Sequence, residues 1–345
     1  MARALVSYPG AKWKFIKDGM FDYFPLDMKT FIEPFLGGGS VTLSVADDPR
    51  FTNLERMIAG DLYTEMWALW QGVKQNPSAV EELAVKMFKE ACPHHQEVHN
   101  LGFYADEARK YMKDGAMENF EASDVLTEAD KQLIRDKLSL YEQACTEGAN
   151  FWNWAQTVDT SQMSTEERAA RMLVVNKISF SSMGDAGSLS KDRYCQFSPD
   201  KLDTVYDTSK LLQRVELYNV SFEETMKYGN EDPENSFIFL DPPYAAQEGC
   251  GFYGKGGNTH HGFPHEHFAE FTKKMRCKWF MTYDDSVVVR KLFQGKTILG
   301  EDVYIKPYKT VYTMAEKCAE DALSGEELFL SNYDINTIND VDGDF

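Results

Sequence analysis

Residues 236–244, Ser-Phe-Ile-Phe-Leu-Asp-Pro-Pro-Tyr, set a carboxylate, a rigid turn and an aromatic ring in direct succession. Asp241 can accept a hydrogen bond. Pro242 and Pro243 have no N–H and fix the direction of the chain, which leaves the Pro242 carbonyl able to accept another. Tyr244 can lay its ring on a flat heterocycle. Two acceptors converging beside an aromatic face suit an exocyclic amino group on a planar base. The nitrogen of such a group is a poor nucleophile because its lone pair is delocalised into the ring. Acceptors for its two hydrogens favour a pyramidal nitrogen with that lone pair available, and preorganised acceptors of this kind supply much of a catalytic rate. A plain strand followed by a Pro-Pro turn would need the same residues, so context decides.

The context is an alternation of strands and helices. Phe237 to Leu240 is a continuous apolar run that reads as a buried parallel strand, and the two prolines end its pairing. Asp241 then stands at the carboxyl end of a strand, the edge where open α/β sheets bind ligands. Thr30 to Phe35 reads as a strand, followed by Gly37-Gly38-Gly39 and a helix from Ser40 through Ala46. Three glycines let the backbone approach a ligand closely. They are no phosphate fingerprint, since neither G-x-G-x-x-G nor Gly-Lys-Ser/Thr is present. Arg56 to Gly60 is a further strand ending at Asp61, a carboxylate placed to take both hydroxyls of a ribose and to cap a helix over 62–75. Lys12 to Phe24 has helical apolar spacing that Pro25 ends. Strands are predicted at Val215–Val220 and Lys278–Thr282, with Val303–Met314 and Glu327–Ser331 as a closing antiparallel pair. Helices are predicted at 263–275 and 284–292. Gln247 to His261 holds five glycines and could fold over an extruded base.

At 345 residues, 43% of them hydrophobic, the chain suits a large globular domain with a smaller one. No apolar run approaches the ~20 residues of a membrane span. The amino terminus has no long apolar core of the secretory type. Six cysteines without a CxxC pair suit a reducing cytoplasm. The net charge of −19 argues against tight non-specific DNA binding, because phosphate-gripping proteins present a basic face. It leaves room for a small basic cleft on an acidic body, a high-salt host, or a partner that brings the nucleic acid. All seven histidines fall in two clusters, His94, His95, His99 and His260, His261, His265, His267. Their spacing fits no standard zinc finger, so no metal is expected. No Gly-x-Ser-x-Gly, P-loop or kinase signature supports a hydrolase or ATPase.

Periodic apolar residues predict helices near 78–91, with Pro77 at the start, and near 101–113, 124–145 and 164–175. Residues 101–170 carry 14 Asp and Glu against 7 Lys and Arg, so this helical region is acidic. A solvated face is the default reading, and a docking surface for a protein partner the alternative. Residues 181–197 are polar, turn-rich and mildly basic, with Ser188, Lys191 and Arg193 placed for base-edge or phosphate contacts. The tail 334–345 is acidic and expected to be disordered.

Asp241-Pro-Pro-Tyr244, preceded by Tyr8-Pro-Gly-Ala-Lys12 and Glu33-Pro-Phe-Leu-Gly-Gly-Gly-Ser40 and followed by Glu326-Glu-Leu-Phe-Leu-Ser-Asn-Tyr333, resembles the Dam-like class of DNA adenine-N6 methyltransferases. The resemblance covers 5–75 and 171–333 and is weak across 76–170. It implies a Rossmann-like, seven-stranded α/β methyltransferase sheet with a helical insertion and a recognition hairpin. It divides the chain into a first catalytic part (1–75), an insertion and target-recognition region (76–200), a second catalytic part (201–333) and the tail. It implies S-adenosyl-L-methionine as methyl donor, held by Tyr8, Gly10, Lys12, Glu33, Pro34, Phe35, Gly37, Gly39, Ser40, Asp61, Phe222 and Asp241. Asp241, Pro242, Pro243 and Tyr244 would be catalytic on an adenine flipped out of double-stranded DNA. Relatives carry an Asn-Arg/Lys-x-x-Phe segment where Asn176 and Lys177 stand, which places these two with the DNA contacts. Ser221 replaces an aspartate that many relatives set beside the cofactor adenine.

Other readings stay open at this stage. Enzymes acting on cytosine N4 more often carry serine where Asp241 stands, and those acting on protein glutamine carry asparagine. RNA adenine is not separated from DNA adenine by these residues. An acidic, non-catalytic binder that kept the pocket is motivated by the charge and by Ser221. Asp241, Tyr244, Lys12 and Asp61 together weigh against it.

Overall fold

The computed structural model describes residues 4–100, 110, 116–179, 185, 187–189, 202–245, 262–309 and 326–339. Seven strands form one sheet in the order β3-β2-β1-β4-β5-β7-β6. They are β1 (Thr30–Glu33), β2 (Arg56–Gly60), β3 (Val215–Tyr218), β4 (Ser236–Leu240), β5 (Lys278–Asp284), β6 (Tyr304–Lys309) and β7 (Glu326–Ser331). The first five run parallel, and β7 enters antiparallel between β5 and β6. Strand order reverses between β1 and β4, which makes that gap the switch point where such sheets bind ligands.

Side-chain alternation along each strand feeds two separate cores. Phe31, Met57, Ala59, Phe237, Phe239, Phe280 and Phe329 point to one face and join a cluster with Phe15, Trp70, Leu173 and Val174. Ile32, Ile58, Ile238, Leu240, Trp279, Met281, Leu328 and Leu330 point to the other, against Phe222, Met226, Phe268 and Val289. All five residues of β4 are buried, as a strand covered on both faces requires.

The first core is continuous with the helices between β2 and β3. It runs from Trp70 through Val80, Phe88 and Cys92 to Leu138, Tyr141, Phe151 and Ala155. The described α-helices here are Thr64–Gln75, Pro77–Ala91, His95–Asn100, Ala116–Glu121, Glu128–Thr157, Thr165–Ile178 and Thr204–Leu212. The segment 101–113 lies outside the described residues, Lys110 apart. The helix predicted to end near 145 runs to Thr157, its buried stripe continuing through Gly148, Phe151 and Ala155. It opens on a capping box between Thr127 and Asp130. Both this helix and its neighbours share the sheet's core, so 76–178 has no apolar core of its own among the described residues.

Two local expectations change. The helix predicted over 12–24 stops at Lys17 and resumes as a 3-10 turn, Met20–Tyr23, because Gly19 takes φ 95° between them. The tail is ordered as far as Asn339. Ile335 is buried, and the Asn339 amide donates to the carbonyls of Asp22 and Phe24, both at 3.0 Å. Residues 340–345 lie outside the described set. No helix among the described residues is long and apolar enough to cross a membrane.

Candidate active site

Strand parity places the chemistry. Asp241 follows Leu240 and so shares the face of Phe239. Thr282 and Asp284 share the face of Phe280, Glu33 that of Phe31, and Glu327 that of Phe329. Because β7 is antiparallel, its first residues lie at the carboxyl edge of β4 and β5. One edge of one face therefore collects Glu33, Asp241, Thr282, Asp284 and Glu327. Lys12, which precedes the helix Trp13–Lys17 on that face, is the cation among them.

Lys12 is 2% exposed and its ammonium lies 2.8 Å from Asp241 Oδ2. It also donates to the Gly10 carbonyl at 2.6 Å, and its own N–H reaches Ser40 Oγ at 2.9 Å. Asp241 keeps about a fifth of its side-chain surface in water, and its Oδ1 accepts from Thr282 Oγ1 at 2.9 Å. Register explains this last contact, since Leu240 pairs with Met281 and the next residues are Asp241 and Thr282. Thr282 escaped the sequence reading. Its only signal is a lone hydroxyl inside the apolar run Trp-Phe-Met-Thr-Tyr. The Asp-Pro-Pro-Tyr turn is held beyond Asp241 as well, where Tyr244 Oη donates to Glu327 Oε2 at 2.9 Å and the Ala245 N–H to Asp284 Oδ1 at 2.8 Å. The Lys12 ammonium sits 5.2 Å from the centre of the Tyr244 ring. Pro242 is buried and Pro243 half-buried.

A second group assembles on the other side of the switch point. Asp61, after β2, accepts the N–H of Gly37 through Oδ2 and of Tyr63 through Oδ1, both at 2.8 Å. It was expected to cap a helix from 62. The helix starts at Thr64, and the carboxylate instead ties the glycine loop after β1 to the tip of β2. Burial pushes the Asp61 carboxyl up to about 6. A Cβ on Gly38 would lie 2.5 Å from the Cβ of Tyr8, so only glycine admits Tyr8 against the loop. Gly39 takes φ 67°, and a side chain there would also meet the Trp70 ring. Phe35 stacks on Phe222 at 5.8 Å, with Phe263 and Phe268 edge-on. Gly10 is exposed, and Pro34 and Ser40 are buried beside these groups.

Glu33 does not offer a free carboxylate. It is 2% exposed, and its Oε2 accepts both the N–H of Thr42 at 2.9 Å and the Thr42 hydroxyl. Burial is the main cause that pushes its carboxyl up to about 8. The folded state thus binds a proton that the unfolded chain releases from about pH 4.5 upward, so folding weakens as pH rises from there through 8. Glu33→Gln should flatten that part of the stability curve, by a few kcal/mol of the order set by such a shift. Chemical denaturation at pH 5, 7 and 9 reads it out; an unchanged slope would remove Glu33 from the account.

The residues expected to meet DNA fare differently. Asn176 is 2% exposed, its amide clamped on the Ser7 backbone at 2.7 and 3.2 Å. The Lys177 ammonium donates to the Leu5 carbonyl at 2.6 Å. Both brace the amino-terminal segment that carries Tyr8 and Lys12. Ser188 is exposed, next to an isolated antiparallel bridge between Ser179 and Leu189. Lys191 and Arg193 lie outside the described residues, as does the glycine-bearing loop 247–261. Among the described histidines, His94 meets Glu147 Oε1 at 2.5 Å, His267 meets Glu223 at 3.2 Å and His265 pairs with the Tyr283 hydroxyl.

A carboxylate at the switch point, an aromatic ring beside it and a glycine loop without a phosphate signature define a Rossmann-like methyltransferase site. The family model for D12 class N6 adenine-specific DNA methyltransferases matches residues 8–313, and the chain belongs to that family. It is an S-adenosylmethionine-dependent enzyme that methylates adenine N6 in DNA. A search among curated proteins finds no match to the chain. The residues present fit the methyl donor. The half-buried Asp61 carboxylate, the Gly37–Gly39 loop under Tyr8 and the Phe35–Phe222 pair offer acceptors for hydroxyls, backbone groups and aromatic faces along one edge, and none of them is a phosphate site.

Proposed function

We propose that Asp241 and the Pro242 carbonyl hold the two amino hydrogens of an adenine flipped out of double-stranded DNA, with Tyr244 stacked on the base. The observation that carries this reading is the clamp on Asp241, whose two oxygens are fixed by Lys12 and Thr282 at the carboxyl end of β4. Lys12 sets its ammonium 2.8 Å from Asp241 Oδ2 while Thr282 donates to Oδ1, which fixes how the carboxylate faces an incoming amino group. Asp61 would hold the ribose hydroxyls of S-adenosylmethionine, Phe35 and Phe222 its adenine, and Tyr8 with the glycine loop its remaining length. The bound cofactor supplies an electrophilic methyl group on a sulfonium, a good leaving group, so the protein's share is positioning and charge.

Sequence recognition belongs, in this reading, to the region around Ser188, Lys191 and Arg193. The acidic helix Glu128–Thr157 would keep DNA to that one side, or receive a protein partner, and a reducing cytoplasm suits the free Cys92, Cys145 and Cys277. The test is transfer of tritiated methyl groups from S-adenosylmethionine to unmethylated DNA, with single-molecule sequencing of the product. N6-methyladenine in one short motif is the outcome anticipated. Label on cytosine N4, or on RNA in preference to DNA, would overturn the assignment of the base pocket.

A further inference from the structure

Behind Tyr244 lies a buried acid that neither substrate nor cofactor needs to touch. Glu327 is 1% exposed. Its Oε2 takes the Tyr244 hydroxyl, while its Oε1 is buried with no hydrogen-bond partner among the described residues. Directly across the β5–β7 pair stands Asp284, whose Oδ1 holds the Ala245 N–H and whose Oδ2 is likewise buried and unpartnered. Two acids face to face on neighbouring strands repel each other, and each buried, unmatched oxygen adds a desolvation cost. A residue serving only to fill this space would be better as a leucine or a glutamine. Both acids instead grip the two residues that follow the Asp-Pro-Pro turn.

We propose that Glu327 is a positioning residue for methyl transfer: it tethers the far end of the Tyr244 ring and, by its charge, competes with Asp241 for Lys12. The proposal rests on the reading that Asp241 and Tyr244 hold the target adenine. Among the described residues, the groups that face Glu327 are Lys12 before the first helix, Asp241 and Tyr244 after β4, Asp284 on β5 and Tyr308 on β6. Lys12 is the only cation among them. While Glu327 is protonated, Lys12 neutralises Asp241 alone. Once Glu327 ionises, Lys12 is shared, Asp241 becomes the stronger acceptor, and the site carries one more negative charge toward a nitrogen that is becoming cationic.

Burial pushes the Glu327 carboxyl up to about 7, so this change falls in the working pH range. The single-turnover rate of methyl transfer should rise about tenfold as pH climbs through 7, the size of one pKa unit of coupling. Glu327→Gln keeps an acceptor for Tyr244 but cannot ionise, and should hold the low-pH rate at every pH. Asp61 and Glu33 also titrate nearby, and the glutamine variant separates their contribution from that of Glu327. Tethering is read by a double-mutant cycle on Glu327→Ala and Tyr244→Phe, with fluorescence of 2-aminopurine at the target position reporting how the base is held. The double variant should be no slower than Tyr244→Phe alone. A pH limb that survives in Glu327→Gln, or single losses that multiply in the double variant, would overturn the proposal. If Glu327→Ala does not fold, the glutamine profile decides alone. Failure of the underlying reading shows separately, as Asp241→Ala retaining methyl transfer.

Discussion

Asp241→Asn should lower single-turnover methyl transfer by about 10³-fold, the scale on which a preorganised electrostatic partner is lost. The amide keeps one acceptor but turns its other end into a donor, aimed where Lys12 already donates. The loss should fall on the chemical step, since Asp61, the glycine loop and the Phe35–Phe222 pair lie across the switch point and are untouched. Stability suffers too. Lys12 is 2% exposed and would be left buried without its counter-ion. Breaking a buried pair costs about 3–5 kcal/mol, and the low end applies because Asp241 is partly in water. The two effects come apart in Lys12→Met/Asp241→Asn, which removes the stranded charge. Its denaturation midpoint should return toward wild type while rapid-quench rates stay down. Recovered activity in the double variant would mean that Asp241 acts only as the counter-ion of Lys12.

Much of this arrangement is legible in the chain, for physical reasons. A four-residue apolar run, Phe237 to Leu240, followed by Asp241 and two prolines admits little besides a buried strand with Asp241 at its end, and β4 contains that run. The glycine triplet announces close approach, though what approaches is Tyr8 on one side and Trp70 on the other. Residues whose meaning depends on pairing register are silent. Thr282 and Glu327 matter because Leu240 pairs with Met281 and Asp284 with Glu327, over sequence separations no local pattern encodes. The second half of the helix Glu128–Thr157 was missed because Thr146, Gly148, Asn150 and Asn153 are weak helix formers, and packing of Phe151 and Ala155 overrides them. Asn176 and Lys177 are legible only in part: their polarity invites a ligand, and the fold adds bonds to the Ser7 and Leu5 backbones, 169 and 172 residues away.

Arg171 makes the same point with a larger consequence. It stands in Arg-Met-Leu-Val-Val at the heart of the helix Thr165–Ile178, with 3% of its side chain exposed, and forms a bidentate pair with Asp185 at 2.9 and 3.0 Å. Asp185 in turn accepts the Tyr63 hydroxyl at 2.5 Å, and Glu65 lies 3.8 Å from the same guanidinium while bonding Arg168 at 2.7 Å. Arg171→Met should therefore cost about 4 kcal/mol, because it strands a buried aspartate and loosens Glu65. Arg171→Lys should recover little, since a single ammonium cannot match both oxygens of Asp185. The effect should also reach the proposed cofactor site. Tyr63, held at its hydroxyl by Asp185, gives its backbone N–H to Asp61, and Asp61 fixes the glycine loop. Calorimetry should accordingly show weaker S-adenosylmethionine binding in Arg171→Met, although Arg171 lies behind the pocket and would touch no part of the ligand. A variant that loses stability yet binds the cofactor as tightly as wild type would show that Tyr63 and Asp61 keep their places without Asp185. Asp185 and the glycine loop held by Asp61 would then be independent; tied through Arg171 and Tyr63, they are positioned as one unit.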